Sequence, residues 1–183
     1  MTQASNIFGK GNEPYGNATI GATPNPWHLY AYGFRRAAEI LIKHVEERHS
    51  SLDVIVFPTV FLFRHHLELA IKLLARDARL ILDLLPPTKP QHGLRALWDE
   101  ARSVVIRVDG VEPEGLDVID TVVAGFDAID SKSTTFRYPQ TLDGANPLSQ
   151  ISNINLLALR DSLEPAFDML DAAHDVMQMH LHG

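Results

Sequence analysis

Val54-Ile55-Val56-Phe57-Pro58-Thr59-Val60-Phe61-Leu62-Phe63 runs directly into Arg64-His65-His66-Leu67-Glu68-Leu69-Ala70-Ile71-Lys72. At about 100° per residue, Arg64, His65, Glu68 and Lys72 fall within one arc of roughly 100°. Val60, Leu62, Phe63, Leu67, Ala70, Leu73 and Leu74 cover most of the remaining circumference. A helix that is apolar nearly all round is a buried helix. Its polar strip therefore faces something other than bulk water, and charges held there are paired or used.

Outward from this segment the chain punctuates itself into further helices. Asp53 is the expected N-cap of the apolar helix, Pro58 must fall in its first turns or kink it, and Leu85-Pro86-Pro87-Thr88-Lys89-Pro90 ends it near Asp83. Upstream, Tyr30, Phe34, Ala37, Leu41 and Val45 recur at spacings of three and four and predict a first helix to about Ser50. Downstream, Leu94, Leu97, Trp98, Ala101 and Val105 form one stripe, and Leu116, Ile119, Val123, Phe126 and Ile129 form another. Residues 131–150 have loop composition around Phe136-Arg137-Tyr138-Pro139. Leu156, Leu163, Leu170 and Met177 then recur every seven residues along a last helix, bent or restarted near Pro165. No stretch alternates in the manner of a strand. The reading is a single-domain all-α bundle of about five helices over residues 27–180, preceded by an irregular arm, 1–26.

Composition sets the outer limits. The chain of 183 residues is 45% hydrophobic and 21% charged, as an ordinary soluble globule is, and it has no cysteine. Its net charge of −7 argues against a general nucleic-acid coat. Residues 1–110 hold 13 Lys/Arg against 11 Asp/Glu, whereas 111–183 hold 3 against 12. The mildly basic front part leaves room for a local anion site, and the acidic rear reads as a solvated face. The first thirty residues lack a basic start followed by an apolar stretch, and the run at 54–63 is too short to cross a bilayer. A cytoplasmic protein with no membrane contact is expected.

The polar strip is the candidate site. Arg64 can hold a phosphate or carboxylate through two parallel hydrogen bonds. His65 titrates near neutrality and suits general acid–base work, and Glu68, one turn on, can orient either. The alternative is an internal ion pair, Arg64–Glu68, locking helix packing. His66 points about 100° away from His65 and reads as a core histidine. His92 can approach the strip from a loop or cap the third helix. Arg137, flanked by two aromatics in an acidic half, calls for a partner, with Glu68 and Asp130 the candidates. His174, His180 and His182 lie near Asp171 and Asp175, but their spacing matches no metal-ligand pattern. Neither metal nor cofactor is expected.

Phe61-Leu62-Phe63-Arg64-His65-His66-Leu67-Glu68-Leu69, His92-Gly93-Leu94-Arg95-Ala96-Leu97-Trp98 and Ser133-Thr134-Thr135-Phe136-Arg137-Tyr138-Pro139 together resemble a family. It is that of the bacterial HEPN proteins (higher eukaryotes and prokaryotes nucleotide-binding), helical bundles tied to toxin–antitoxin and antiphage systems. The resemblance implies a dimeric helical protein and, for many members, metal-independent RNA cleavage. Catalytic members carry Arg, four to six residues, then His. No arginine here has that spacing: Arg64-His65 is adjacent, and Arg36 to His44 is one residue too far.

Two functions follow. The first is a ribonuclease or toxin-type effector in which Arg64 stabilises the phosphorane, His65 moves the 2′-hydroxyl proton and Glu68 orients, with Lys72, His92, Arg137 and Tyr138 supporting or binding ligand. The second is a non-catalytic module for a partner protein, such as an antitoxin, or for RNA or a nucleotide. A homodimer is expected in either case, because the all-round apolar second helix and the heptad-like stripe of the last helix offer more apolar surface than five short helices need.

Overall fold

Thirty residues, Leu52–Ile81, form the central helix, α2, and the other long elements are arranged around it. The computed structural model describes residues 9, 11–21, 23, 26–48, 51–87 and 93–183. Within these, α1 (Trp27–Glu46), α3 (Leu94–Val105) and α5 (Leu156–His182) pack on α2, and α4 (Asp117–Asp130) packs on α3 and α5. The fold is an all-α bundle of five helices, and no strand occurs among the described residues. In the arm, a short 3-10 turn at Pro14–Gly16 is tied by Asn17, whose side chain bonds the main chain of Gly11 and Glu13.

The apolar stripes of α2 to α5 supply most of the core. On α1, by contrast, the buried face is Ala31, Ala38 and Ile42, one position round from the expected stripe, whose Tyr30 is exposed and whose Phe34, Ala37, Leu41 and Val45 are only partly buried. Val60, Phe63, Leu67, Ile71 and Leu74 of α2 are buried against Ala38 and Ile42 of α1. Leu94, Leu97, Trp98, Ala101 and Val105 of α3 are all buried, as are Leu156, Leu163, Phe167, Leu170 and Met177 of α5. Trp98 is completely enclosed and donates its indole N–H to Asp120 Oδ1 at 2.9 Å, so its polar edge is satisfied. Length and apolarity alone would let α2 cross a bilayer, but its packing on α1, α3 and α5 makes it the core helix.

Several boundaries differ from the sequence reading. α1 stops at Glu46 rather than near Ser50, because Arg48 adopts a left-handed conformation (φ 59°) and its N–H turns back to the Val45 carbonyl at 2.9 Å. α2 is entered from Ser51, and Asp53 already lies in its first turn, where a carboxylate favours the positive end of the helix. Pro58 is the seventh residue of α2, so only the Val54 carbonyl loses its helical amide. α5 runs as one element through Pro165. Its start is set by Asn155, whose side-chain oxygen accepts from the Leu157 and Ala158 amides, both at 3.0 Å.

Candidate functional site

Arg64 lies at the middle of α2 with 0% of its surface exposed. Its Nη1 donates to Glu68 Oε2 at 2.9 Å, one turn along the same helix. Its Nε donates to the main-chain carbonyl of Asp130 at 3.1 Å and stands 3.5 Å from Asp130 Oδ2. Glu68 in turn accepts from Lys72 Nζ at 2.6 Å. Burial pushes the Glu68 carboxyl up, yet the bonds from Lys72 and Arg64 outweigh it and hold the group below its ordinary value. Arg64 Nη2 and Asp130 Oδ2 make no hydrogen bond among the described residues.

Asp130 explains one departure from the α4 stripe. Ile129, expected inside, is 45% exposed, while Asp130, the last residue of α4, is 1% exposed. Its Oδ1 accepts from the amides of Thr134 (2.7 Å) and Thr135 (3.0 Å), so one carboxyl both faces Arg64 and folds the chain leaving α4. Ser133 turns through a left-handed conformation (φ 59°). The Thr134 carbonyl then accepts from the Arg137 and Tyr138 amides, both at 3.1 Å. Phe136 anchors this turn in the core, whereas Arg137 and Tyr138 are exposed. Buried Arg64 is thus connected through Asp130 to an exposed cation–aromatic turn.

That turn folds back over α2. The Arg137 guanidinium lies 5.7 Å from the Phe61 ring centroid and 5.2 Å from that of Tyr138, and its Nη2 donates to the Tyr138 hydroxyl at 3.1 Å. The Arg137 Nη1 donates to the Ser133 carbonyl at 3.3 Å. The expected pairing of Arg137 with Glu68 or Asp130 does not occur. Arg64 already occupies both carboxylates, and Arg137 is held over aromatic faces instead. His65 is half-buried between Phe61, stacked at 5.5 Å, and Phe34, edge-on at 4.4 Å. Its pKa is lowered, first by burial and then by Lys72, Arg64 and Arg137, with Glu68 opposing.

The structure therefore gathers Arg64, His65, Glu68, Lys72, Arg137 and Tyr138 in one region, whereas His92 falls outside the described residues. His66 is a core histidine: its Nδ1 faces the Ala31 carbonyl at 2.9 Å, its ring meets Phe167 edge-on, and burial lowers its pKa to about 4. The C-terminal histidines are dispersed. His180 bonds the Asp109 carbonyl at 2.8 Å and His174 lies 3.5 Å from Asp77 Oδ2. Among the described residues no group of three His, Asp or Glu side chains could hold a metal. The sequence reading missed Phe61 as the ledge beneath Arg137. It also missed buried Asp77, whose signal is a lone carboxylate within Leu73-Leu74-Ala75-Arg76-Asp77-Ala78.

The chain matches no protein-family model, no curated protein and no solved structure. The exposed part of the site offers one guanidinium set against two aromatic rings, an exposed tyrosine and the partly exposed Lys72, which suits a base and a phosphate. The buried part offers fixed charges that neutralise one another.

Proposed function

We propose that this chain is a non-catalytic HEPN-like module that binds a nucleotide or a short single-stranded RNA segment at the Arg137–Tyr138 turn. The observation that carries this reading is the contrast between Arg64 and Arg137. Arg64 is fully enclosed and paired with Glu68 and Asp130, so a phosphate cannot reach its guanidinium in this conformation. Arg137 is exposed, has no carboxylate partner among the described residues, and sits beside Tyr138, which is 52% exposed. A base stacks on Tyr138, its phosphate meets Arg137, and Lys72 adds positive charge along the same strip. Arg64 is then a positioning residue that holds Asp130, and Asp130 holds the turn. The family resemblance supports a cytoplasmic homodimer working with a partner or antitoxin protein in a bacterial defence or toxin–antitoxin system.

One observation favours the ribonuclease reading. Burial lowers the pKa of His65, which favours the neutral ring that a general base requires. In that reading Arg137, rather than Arg64, would have to meet the phosphorane.

Fluorescence anisotropy with labelled single-stranded RNA tests the binding site. The wild type should bind with an affinity that falls as salt rises. Arg137→Ala and Tyr138→Ala should each weaken binding by about tenfold, the scale of one stacked base or one phosphate contact. Binding unchanged in both variants, or no binding by the wild type, would remove the proposed site.

A further inference from the structure

α1, α2 and α5 frame a groove of about 850 Å³, none of whose lining residues belongs to the Arg137–Tyr138 turn. Leu73 and Leu80 of α2 and Leu170 and Leu181 of α5 give it apolar walls. Asp77 also lines it, with a side chain only 5% exposed. Its Oδ2 accepts from Gln178 Nε2 at 3.2 Å and lies 3.5 Å from His174 Nδ1. His174 carries a charge only when protonated, so the ion-pair partner of this buried carboxylate is not a permanent cation. Burial accordingly raises the Asp77 pKa, and His174, Arg76 and, more weakly, His182 oppose the rise without cancelling it.

His66, 3% exposed, belongs to the same lining. Its Nδ1 must carry the proton to bond the Ala31 carbonyl, which leaves Nε2 a lone-pair acceptor with no partner among the described residues. Elsewhere on the lining, Asp171 Oδ2 and Glu39 Oε1 accept from Arg35 at 2.7 and 3.1 Å. The permanent charges of the lining are therefore Arg35 and Arg76 against Glu39, Asp77 and Asp171. Its uncommitted polar atoms include acceptors, and its walls are hydrocarbon. Such a surface recognises a group that donates hydrogen bonds, carries positive charge and ends an alkyl chain. An ammonium does all three, with three N–H donors and a full positive charge to set against the Asp77 carboxylate.

We propose that the groove between α1, α2 and α5 binds a small alkylammonium compound, with Asp77 as its counter-ion and the leucine walls holding its chain. The site is independent of RNA binding at Arg137.

Calorimetric titration of the full chain with putrescine tests the proposal. The uncharged diol of the same chain length and the dianion succinate serve as controls. Putrescine should bind, while the diol and succinate should not. Asp77→Asn, nearly identical in shape, should weaken putrescine binding by roughly tenfold or more, the scale of a lost charged hydrogen bond. Arg137→Ala should leave it unchanged. If Asp77→Asn fails to fold, the wild type alone decides, since putrescine must shift the His174 ring resonances in a nuclear magnetic resonance titration. Equal binding of putrescine and the diol, undiminished binding by a folded Asp77→Asn protein, or unmoved His174 resonances would each overturn the assignment.

Discussion

Replacing Arg64 by alanine should destabilise the bundle severely. The substitution removes the cation facing Asp130, a carboxylate 1% exposed, and strips Glu68 of one of its two partners. Glu68 keeps Lys72, so the main cost falls on Asp130. Breaking a buried pair by removing one member typically costs ~3–5 kcal/mol, because the other charge stays behind without compensation. For a chain of this length each kcal/mol moves the melting temperature by about 2–4 °C. A fall of roughly 6–20 °C is therefore expected in a thermal melt followed by circular dichroism. Arg64→Met fills the volume but leaves the same stranded carboxylate and should lose nearly as much. Adding Asp130→Asn removes the stranded charge while keeping an oxygen for the Thr134 and Thr135 amides, and should restore part of the loss. The coupling between the two positions should be on the order of 1–3 kcal/mol. An Arg64→Ala protein that melts within about 2 °C of wild type, or strictly additive losses, would refute the network.

Stability should also fall with acid through His66. Its pKa is about 4 in the folded chain against an ordinary 6.5, so below 6.5 the unfolded chain takes up a proton that the folded one refuses. The contribution is complete above 6.5 and is lost as pH falls towards 4, amounting to ~3 kcal/mol in urea titrations across that window; a His66→Leu variant with the same slope would dismiss it. Asn155→Ala removes the two capping bonds at the start of α5 and should cost about 1 kcal/mol, whereas an unchanged melt would mean water replaces them. The heptad stripe of α5 that suggested a homodimer is buried in the chain's own core, which leaves Leu29 and Ile40, 48% and 56% exposed on one face of α1, as the surface through which a homodimer would close. Light scattering should give twice the 20.4 kDa chain mass, falling to the monomer in Ile40→Glu; a wild-type monomer mass contradicts the dimer.

The fold was legible because its helices carry their periodicity openly. The stripes through Trp98 and Leu163 were read from spacing alone, and both residues are buried. Helix ends were less legible, since they depend on single backbone conformations such as that of Arg48, which no propensity marks. At the site, the i,i+4 spacing of Arg64 and Glu68 announced their ion pair. The role of Asp130 was hidden, because a carboxylate one residue beyond an apolar stripe looks like a solvated helix end. Arg137 misled for a related reason. An arginine between aromatics was expected to need a carboxylate, but a π-face satisfies it at lower desolvation cost. Asp77 and His174 lie 97 positions apart in the numbering and meet only when α5 packs on α2, a pairing that local spacing cannot carry.

In the proposed function this module binds without cleaving, and Arg64 serves the fold. Incubation of the purified protein with varied single-stranded RNAs in the presence of chelator, followed by analysis of product ends, separates binding from cleavage. RNA should stay intact with the wild type and with folded His65→Ala and His66→Ala proteins alike. Fragments ending in 2′,3′-cyclic phosphate, formed by the wild type and reduced about 10²-fold or more in His65→Ala but not in His66→Ala, would contradict it.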